Sequence, residues 1–212
     1  MQDEEHLKTL SDIKNMMERS SRFLSLSGLS GVFIGIYALA GAIAAAWYVN
    51  SHNYKITSYY SLASATDGEP YNPFLKFLFV DAILVLALSL ITGYVFTQQL
   101  AKKKGLFKWD TTAKRMLVNL LIPLVTGGVF CLALLHQNQI GLVAPAMLIF
   151  YGLALLNASK YTFNDLRNLG VIEIILGLTA SLHPGYGLVF WALGFGVLHI
   201  IYGITMYYKY ER

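Results

Sequence analysis

Three ionisable side chains, Asp81, Glu173 and His199, lie inside long apolar runs of a 212-residue chain. A charged group in such surroundings is costly, which makes each a candidate functional group. Glu173 and His199 stand on two runs joined by the three-residue turn His183-Pro184-Gly185, and Tyr202 follows His199 by one helical turn. A carboxyl, an imidazole and a phenol brought together at low dielectric can exchange protons, because burial disfavours carboxyl ionisation while imidazole titrates near neutrality. The same three groups can instead form a hydrogen-bond cluster that pins the hairpin. At 1.5 Å per residue Glu173 falls about 10 Å from the inner end of its run and His199 about 13 Å from the inner end of its own. Asp81 falls about 10 Å below the opposite surface. It can communicate with the pair only through water or a polar side chain such as Ser89 or Thr126.

Other chemistry has little to stand on. His52, His136 and His183 fall at the outer ends of apolar runs, and none has a Cys, a carboxylate or a second His at ligand spacing. This argues against a metal or haem, and no cofactor is expected. The single Cys131 lies within an apolar run and cannot form an intramolecular disulfide. There is no Gly-rich phosphate loop, zinc-protease helix motif, Gly-x-Ser-x-Gly elbow or Cys-x-x-Cys pair. The polar connections are too short for a separate catalytic domain. A non-enzymatic role is the expectation.

The elements that must hold these residues are membrane helices. Hydrophobic residues make up 56 % of the chain and charged residues 13 %, with mean hydropathy +0.52. Six runs, 28–49, 74–96, 116–135, 140–158, 166–182 and 186–208, each suit a hydrocarbon core about 30 Å thick. Threaded alternately, they put Lys8, Lys14, Arg19 and Arg22 on one side. The same side takes Lys102, Lys103, Lys104, Lys108, Lys114 and Arg115, then Lys160, Arg167, Lys209 and Arg212. Lys55 and Lys76 are left on the other. The positive-inside rule then predicts a multi-pass protein of the cell inner membrane with both termini cytoplasmic. The net charge of +4 is explained by this orientation and by anionic headgroups, without nucleic acid.

Residues 1–27 carry Leu7, Leu10, Ile13, Met17 and Leu24 at steps that predict an amphipathic lead helix on the cytoplasmic face. Residues 28–208 form the bundle, and 209–212 a cytoplasmic tail. The Tyr-rich outer connection 50–73 can cap the bundle. The stretch Ala133-Leu134-Leu135-His136 with the following Gly141-Leu142-Val143 echoes Ala180-Ser181-Leu182-His183 with Gly187-Leu188-Val189. Arg22-Phe23-Leu24 is echoed more faintly by Arg115-Met116-Leu117. An all-α protein of three hairpins running in the same direction is the inference.

The second copy, Gly177…His183-Pro184-Gly185…Gly187…Gly196…Ile200…Gly203-Ile204, resembles the HdeD-type membrane proteins associated with bacterial acid resistance. The resemblance covers about the last 75 residues. It implies three helical hairpins and an acid-stress role, and supplies no catalytic residues. The 50–73 connection, the lead helix and the Lys102–Lys104 run lie outside that layout.

Gly28, Gly31, Gly35, Ala38, Ala42 and Ala45 form one seam of small residues along the first run. Gly187 with Gly194, and Gly196 with Gly203, form two shorter ones on the last. Such seams permit close helix approach, within the bundle or between copies of the chain. A membrane or cytoplasmic protein is an alternative partner. Two functional readings follow. One is a non-catalytic bundle with a structural, sensory or stress-response role. The other is a transporter or channel for protons or a small solute that uses Glu173, His199 and Asp81.

Overall fold

The structure, a computed structural model, describes residues 27–53, 55–64, 73–103 and 111–212. The expected lead helix lies outside the described residues, as do Lys104 and Lys108. All regular structure among the described residues is helical: α1 (Gly28–Ser51), α2 (Tyr59–Ser64), α3 (Pro73–Lys103), α4 (Thr111–His136), α5 (Val143–Ala158) and α6 (Asp165–Ser181). A last, composite span follows. It is built from α7 (Gly187–Trp191), a π-helical stretch Ala192–Leu198 and α8 (His199–Tyr210). Five helical segments are long and apolar enough to cross a membrane: Gly28–Ser51, Pro73–Lys103, Thr111–His136, Ile140–Tyr161 and Pro184–Tyr210. The helix α6 has 17 residues, or about 25 Å.

Local chemistry sets the ends. The Gly28 backbone N–H at the start of α1 donates to the carboxylate of Glu211, and Ser27 Oγ donates to the same group at 3.2 Å. A negative charge thus meets the positive end of the helix dipole. Asn53 and Asn138, at φ 61° and 57°, make the turns after α1 and α4, a conformation asparagine tolerates better than most residues. The helix α3 starts on Pro73, whose missing N–H costs nothing there. It runs through Lys103 rather than ending at the expected Phe96. The segment after Phe96, Thr-Gln-Gln-Leu-Ala-Lys-Lys, consists mostly of strong helix formers, so the helix outlasts its apolar run.

Packing follows chain order from α4 through α6 and departs from it where α1 meets the last span. The helix α5 packs most extensively on α6, and α1 on the last span. Between α5 and α6 the backbones meet at Gly152 and Gly170, where a Cβ on either would stand 2.6 or 2.8 Å from the other's carbonyl oxygen. Between α1 and the last span, Gly28, Gly31 and Gly35 mesh with Gly196, Ile200 and Gly203. The small-residue seam of α1 is therefore filled from within the chain. The helix α3 rests on α1 through Phe33 against Phe96 and a 3.3 Å contact between the hydroxyls of Tyr37 and Thr92. The helix α4 rests on α5 through Gly127 and Phe130 against Phe150. The outward faces of α3 and α4, including Leu84, Leu90, Ile91, Ile122, Val125 and Val129, are exposed and apolar.

The connection after α1 covers the ends of two other turns. Thr57 packs its carbonyl against Gly185, Tyr60 reaches Gly141, and Tyr59 places its hydroxyl against Gly187. Tyr59 is buried with Val49, Ala63, Phe74 and Ile140. Burial, with Tyr60 adding to it, pushes the Tyr59 hydroxyl up to about 12, so it stays neutral.

Candidate functional site: a buried carboxyl beside a histidine–tyrosine pair

Glu173 stands at the middle of α6, eight residues from either end. That is deeper than the distance expected from a run beginning at Leu166, and Glu173 is 0 % exposed. Among the described residues neither carboxyl oxygen has a hydrogen-bond partner. Oε2 instead fills the space where a Cβ on Gly194 would lie, 2.5 Å from it, so glycine at 194 is what lets the last span approach the carboxyl.

His199, 4 % exposed, faces the same point, with Nδ1 3.7 Å from Glu173 Oε1. That separation is too long for a hydrogen bond. Both ring nitrogens are engaged elsewhere. Nδ1 lies 2.9 Å from the Gly194 carbonyl, and Nε2 lies 2.6 Å from the Tyr151 hydroxyl. A carbonyl can only accept, so Nδ1 carries the proton. In the neutral ring Nε2 must then accept from Tyr151. Phe195 packs on both rings, 5.1 Å from Tyr151 and 6.0 Å from His199. The π-helical stretch that carries Gly194 and Phe195 ends where His199 begins. Such a bulge changes which side chains and carbonyls face inward, and it recurs at functional positions.

Tyr202 packs with Tyr151 against the cluster of Leu155, Leu166 and Leu169, and its buried hydroxyl has no partner. It interacts electrostatically with Tyr151 on one side and with Asp165 and Tyr210 on the other. Asp165 opens α6 and accepts from the Tyr210 hydroxyl at 2.6 Å and from Lys209 Nζ at 2.9 Å. A graded set of polar groups thus runs from this end of the bundle to its centre.

The sequence brings Glu173, His199 and Tyr202 into one region, and the structure places all three there. Asp81 is elsewhere. It is half-buried on α3, its carboxyl in the notch of Gly41 on α1. It makes no hydrogen bond or ion pair to Glu173 or His199. Tyr151 and the Gly194 carbonyl were not anticipated. One signal pointed to Tyr151: it is the sole titratable residue of α5. Of the basic stretch, Lys102, Lys103, Lys114 and Arg115 are exposed at the ends of α3 and α4. Among the described residues, no three His, Cys, Asp or Glu side chains gather as a metal site.

No family model matches the chain, and neither a curated protein nor a solved structure is significantly similar to it.

The chemistry the site allows follows from its imbalance. An ionised carboxyl removed from water costs several kcal/mol unless paired, and buried polar atoms in folded proteins nearly always have partners. Glu173 has a neutral imidazole at 3.7 Å, and no lysine or arginine pairs with it among the described residues. A carboxyl so placed needs a proton, a cation or a shift of His199 to complete it.

Proposed function

We propose that this chain is a non-catalytic, six-span protein of the cell inner membrane whose buried Glu173–His199–Tyr151 centre makes it a proton-responsive sensor. In this reading α6 also crosses the membrane, as the fifth of six spans in chain order. The spans descend from three hairpins of one direction, and both termini lie in the cytoplasm beneath a basic face that meets anionic headgroups. A role in acid stress, as the HdeD-type resemblance suggests, belongs to the same reading.

The observation that carries it is the pair of unpartnered oxygens on a fully buried Glu173. A cluster whose only role was to pin helices together would leave no such group unsatisfied. A conduit using Asp81 has less support, since that residue sits in a different helix contact.

The test uses Trp191, which packs 5.3 Å from Phe195, as the reporter in a Trp47→Phe, Trp109→Phe background. Trp191 fluorescence of the protein in lipid vesicles should follow pH as a single titration, and Glu173→Gln should abolish it. Infrared difference spectra should show a protonated-carboxyl band that the same substitution removes. A pH-independent signal, or one unchanged in Glu173→Gln, overturns the sensor. A proton or solute flux abolished by Glu173→Gln would replace it with a conduit.

A further inference from the structure

The polar groups around Glu173 are distributed on one side only. The residues of α5 before Tyr151 and the last span from Gly187 to Leu198 contain no titratable side chain. Toward that end Glu173 is covered by Leu148 and Pro145, both under 2 % exposed, and beyond them Tyr59 closes on Gly187. The hydroxyl of Thr179, also on that side of α6, is exposed on the bundle surface and donates to the Ile175 carbonyl. Toward the opposite end His199 bonds to Tyr151, Tyr202 packs with Tyr151 against the same leucine cluster with its hydroxyl unpaired among the described residues, and Asp165 with Tyr210 and Lys209 lies beyond. Eight residues of α6 separate Glu173 from Asp165, about 12 Å, a distance that two tyrosines and an imidazole can bridge.

The titratable groups facing Glu173 are Tyr151 from α5 and His199 from α8. The stretch between Gly187 and Leu198 adds none.

Resting on the sensor reading, we infer that Glu173 exchanges protons with only one face of the membrane, the face bearing Asp165 and the C terminus, through Tyr202, Tyr151 and His199. Once the Tyr202 hydroxyl, unpaired among the described residues, turns to bridge the two sides, a proton taken from water beside Asp165 passes to its oxygen as Tyr202 releases its own to Tyr151. Tyr151 passes its proton to His199 Nε2, and the Nδ1 proton goes to the Glu173 carboxylate. Each hydroxyl gains one proton and loses one. One O–H forms on Glu173, and His199 is left with its proton on Nε2. The 3.7 Å gap between Nδ1 and Oε1 has to close by about 0.5 Å for the last step.

The experiment uses the full chain with a C-terminal affinity tag in phosphatidylcholine–phosphatidylglycerol vesicles, sorted into tag-out and tag-in populations. The external pH is jumped and Trp191 fluorescence followed by stopped flow. Tag-out vesicles should respond at once, and tag-in vesicles only after a protonophore equilibrates the lumen. Tyr202→Phe should slow the tag-out response by roughly 100-fold or more, the smallest factor typical of a positioned proton-transfer group. The pH midpoint should stay in place, and Tyr59→Phe should change neither rate nor midpoint. Equal prompt responses in both populations, or an unchanged rate in Tyr202→Phe, overturn the one-sided route while leaving the sensor standing. Loss of any Glu173-dependent response in wild type removes both.

Discussion

Replacing Gly203 with alanine tests whether the contact between α1 and the last span holds the bundle together. A Cβ at that position would stand 2.5 Å from the Val32 nitrogen, 2.6 Å from the Gly28 carbonyl oxygen and 2.9 Å from the Gly31 carbonyl carbon. All three are backbone atoms of one helix, so no side chain can swing aside. Restoring ordinary contact requires the two helices to part by about 1 Å, which forfeits a quarter to a half of the dispersion well for atoms along the seam. Overpacking of this kind costs about 1–3 kcal/mol, and the better helix propensity of alanine returns about 1 kcal/mol. Gly203→Ala should therefore lower stability by up to about 2 kcal/mol. Gly93 is the control, because a Cβ there meets nothing within 4 Å. Gly93→Ala should be neutral or stabilising by up to about 1 kcal/mol. The difference is read from denaturation in mixed detergent micelles followed by circular dichroism. Equal stability of the two variants would refute the packing argument. A Gly203→Ala variant that keeps its stability but loses a dimer would move the seam from inside the chain to an interface between copies.

Tyr151→Phe removes the only partner of His199 Nε2 among the described residues and should cost about 1–3 kcal/mol in the same assay, the range for orphaning a buried polar group. Nitrogen NMR of His199 should show the proton on Nδ1 in wild type at neutral pH, and a resting ring protonated on Nε2 alone would contradict the Gly194 carbonyl as acceptor. At the membrane surface, burial alone would raise the Asp165 carboxyl, but hydrogen bonds from Tyr210 and Lys209 outweigh it and hold the group below the usual carboxylate range. A group whose folded value is depressed contributes its stability above the ordinary carboxylate value and loses it as pH falls through the folded one. Asp165→Asn should therefore flatten the acid limb of the stability–pH curve, with the effect shrinking in high salt. Parallel curves for the two proteins would show that the contact contributes nothing.

What could be read from the sequence divides according to how far along the chain the cause lies. The apolar runs, the turns after them and the nearness of Glu173 to His199 are local matters. A three-residue turn between two runs fixes which depths can meet. The apolar run 74–96 does not give the end of α3, which continues to Lys103, because hydropathy reports where an apolar stretch ends and not where helix propensity ends. Tyr151 was beyond reach for a different reason. Its helix meets α6, the next span in the chain, through Gly152 and Gly170, as their short connection dictates, but it reaches the last span through Leu148 against Gly194, a pairing that chain order does not specify.

The two short glycine seams of the last span were visible as spacing, but their division of labour was not. Positions two apart on a helix point about 200° from one another, so Gly194 and Gly196 cannot serve one neighbour. Gly194 receives the Glu173 carboxyl, while Gly196 receives Leu39 of α1. The π-helical stretch that holds both glycines is therefore the wall between the polar centre and the seam of α1. A change in the charge or position of Glu173 acts first on Gly194 and on the His199 ring bonded to its carbonyl. Two residues further on it meets a backbone already in contact with α1. Glu173 is thus linked to the first span by contact through this stretch, seven residues of π-helix wound more loosely than the α-helix on either side.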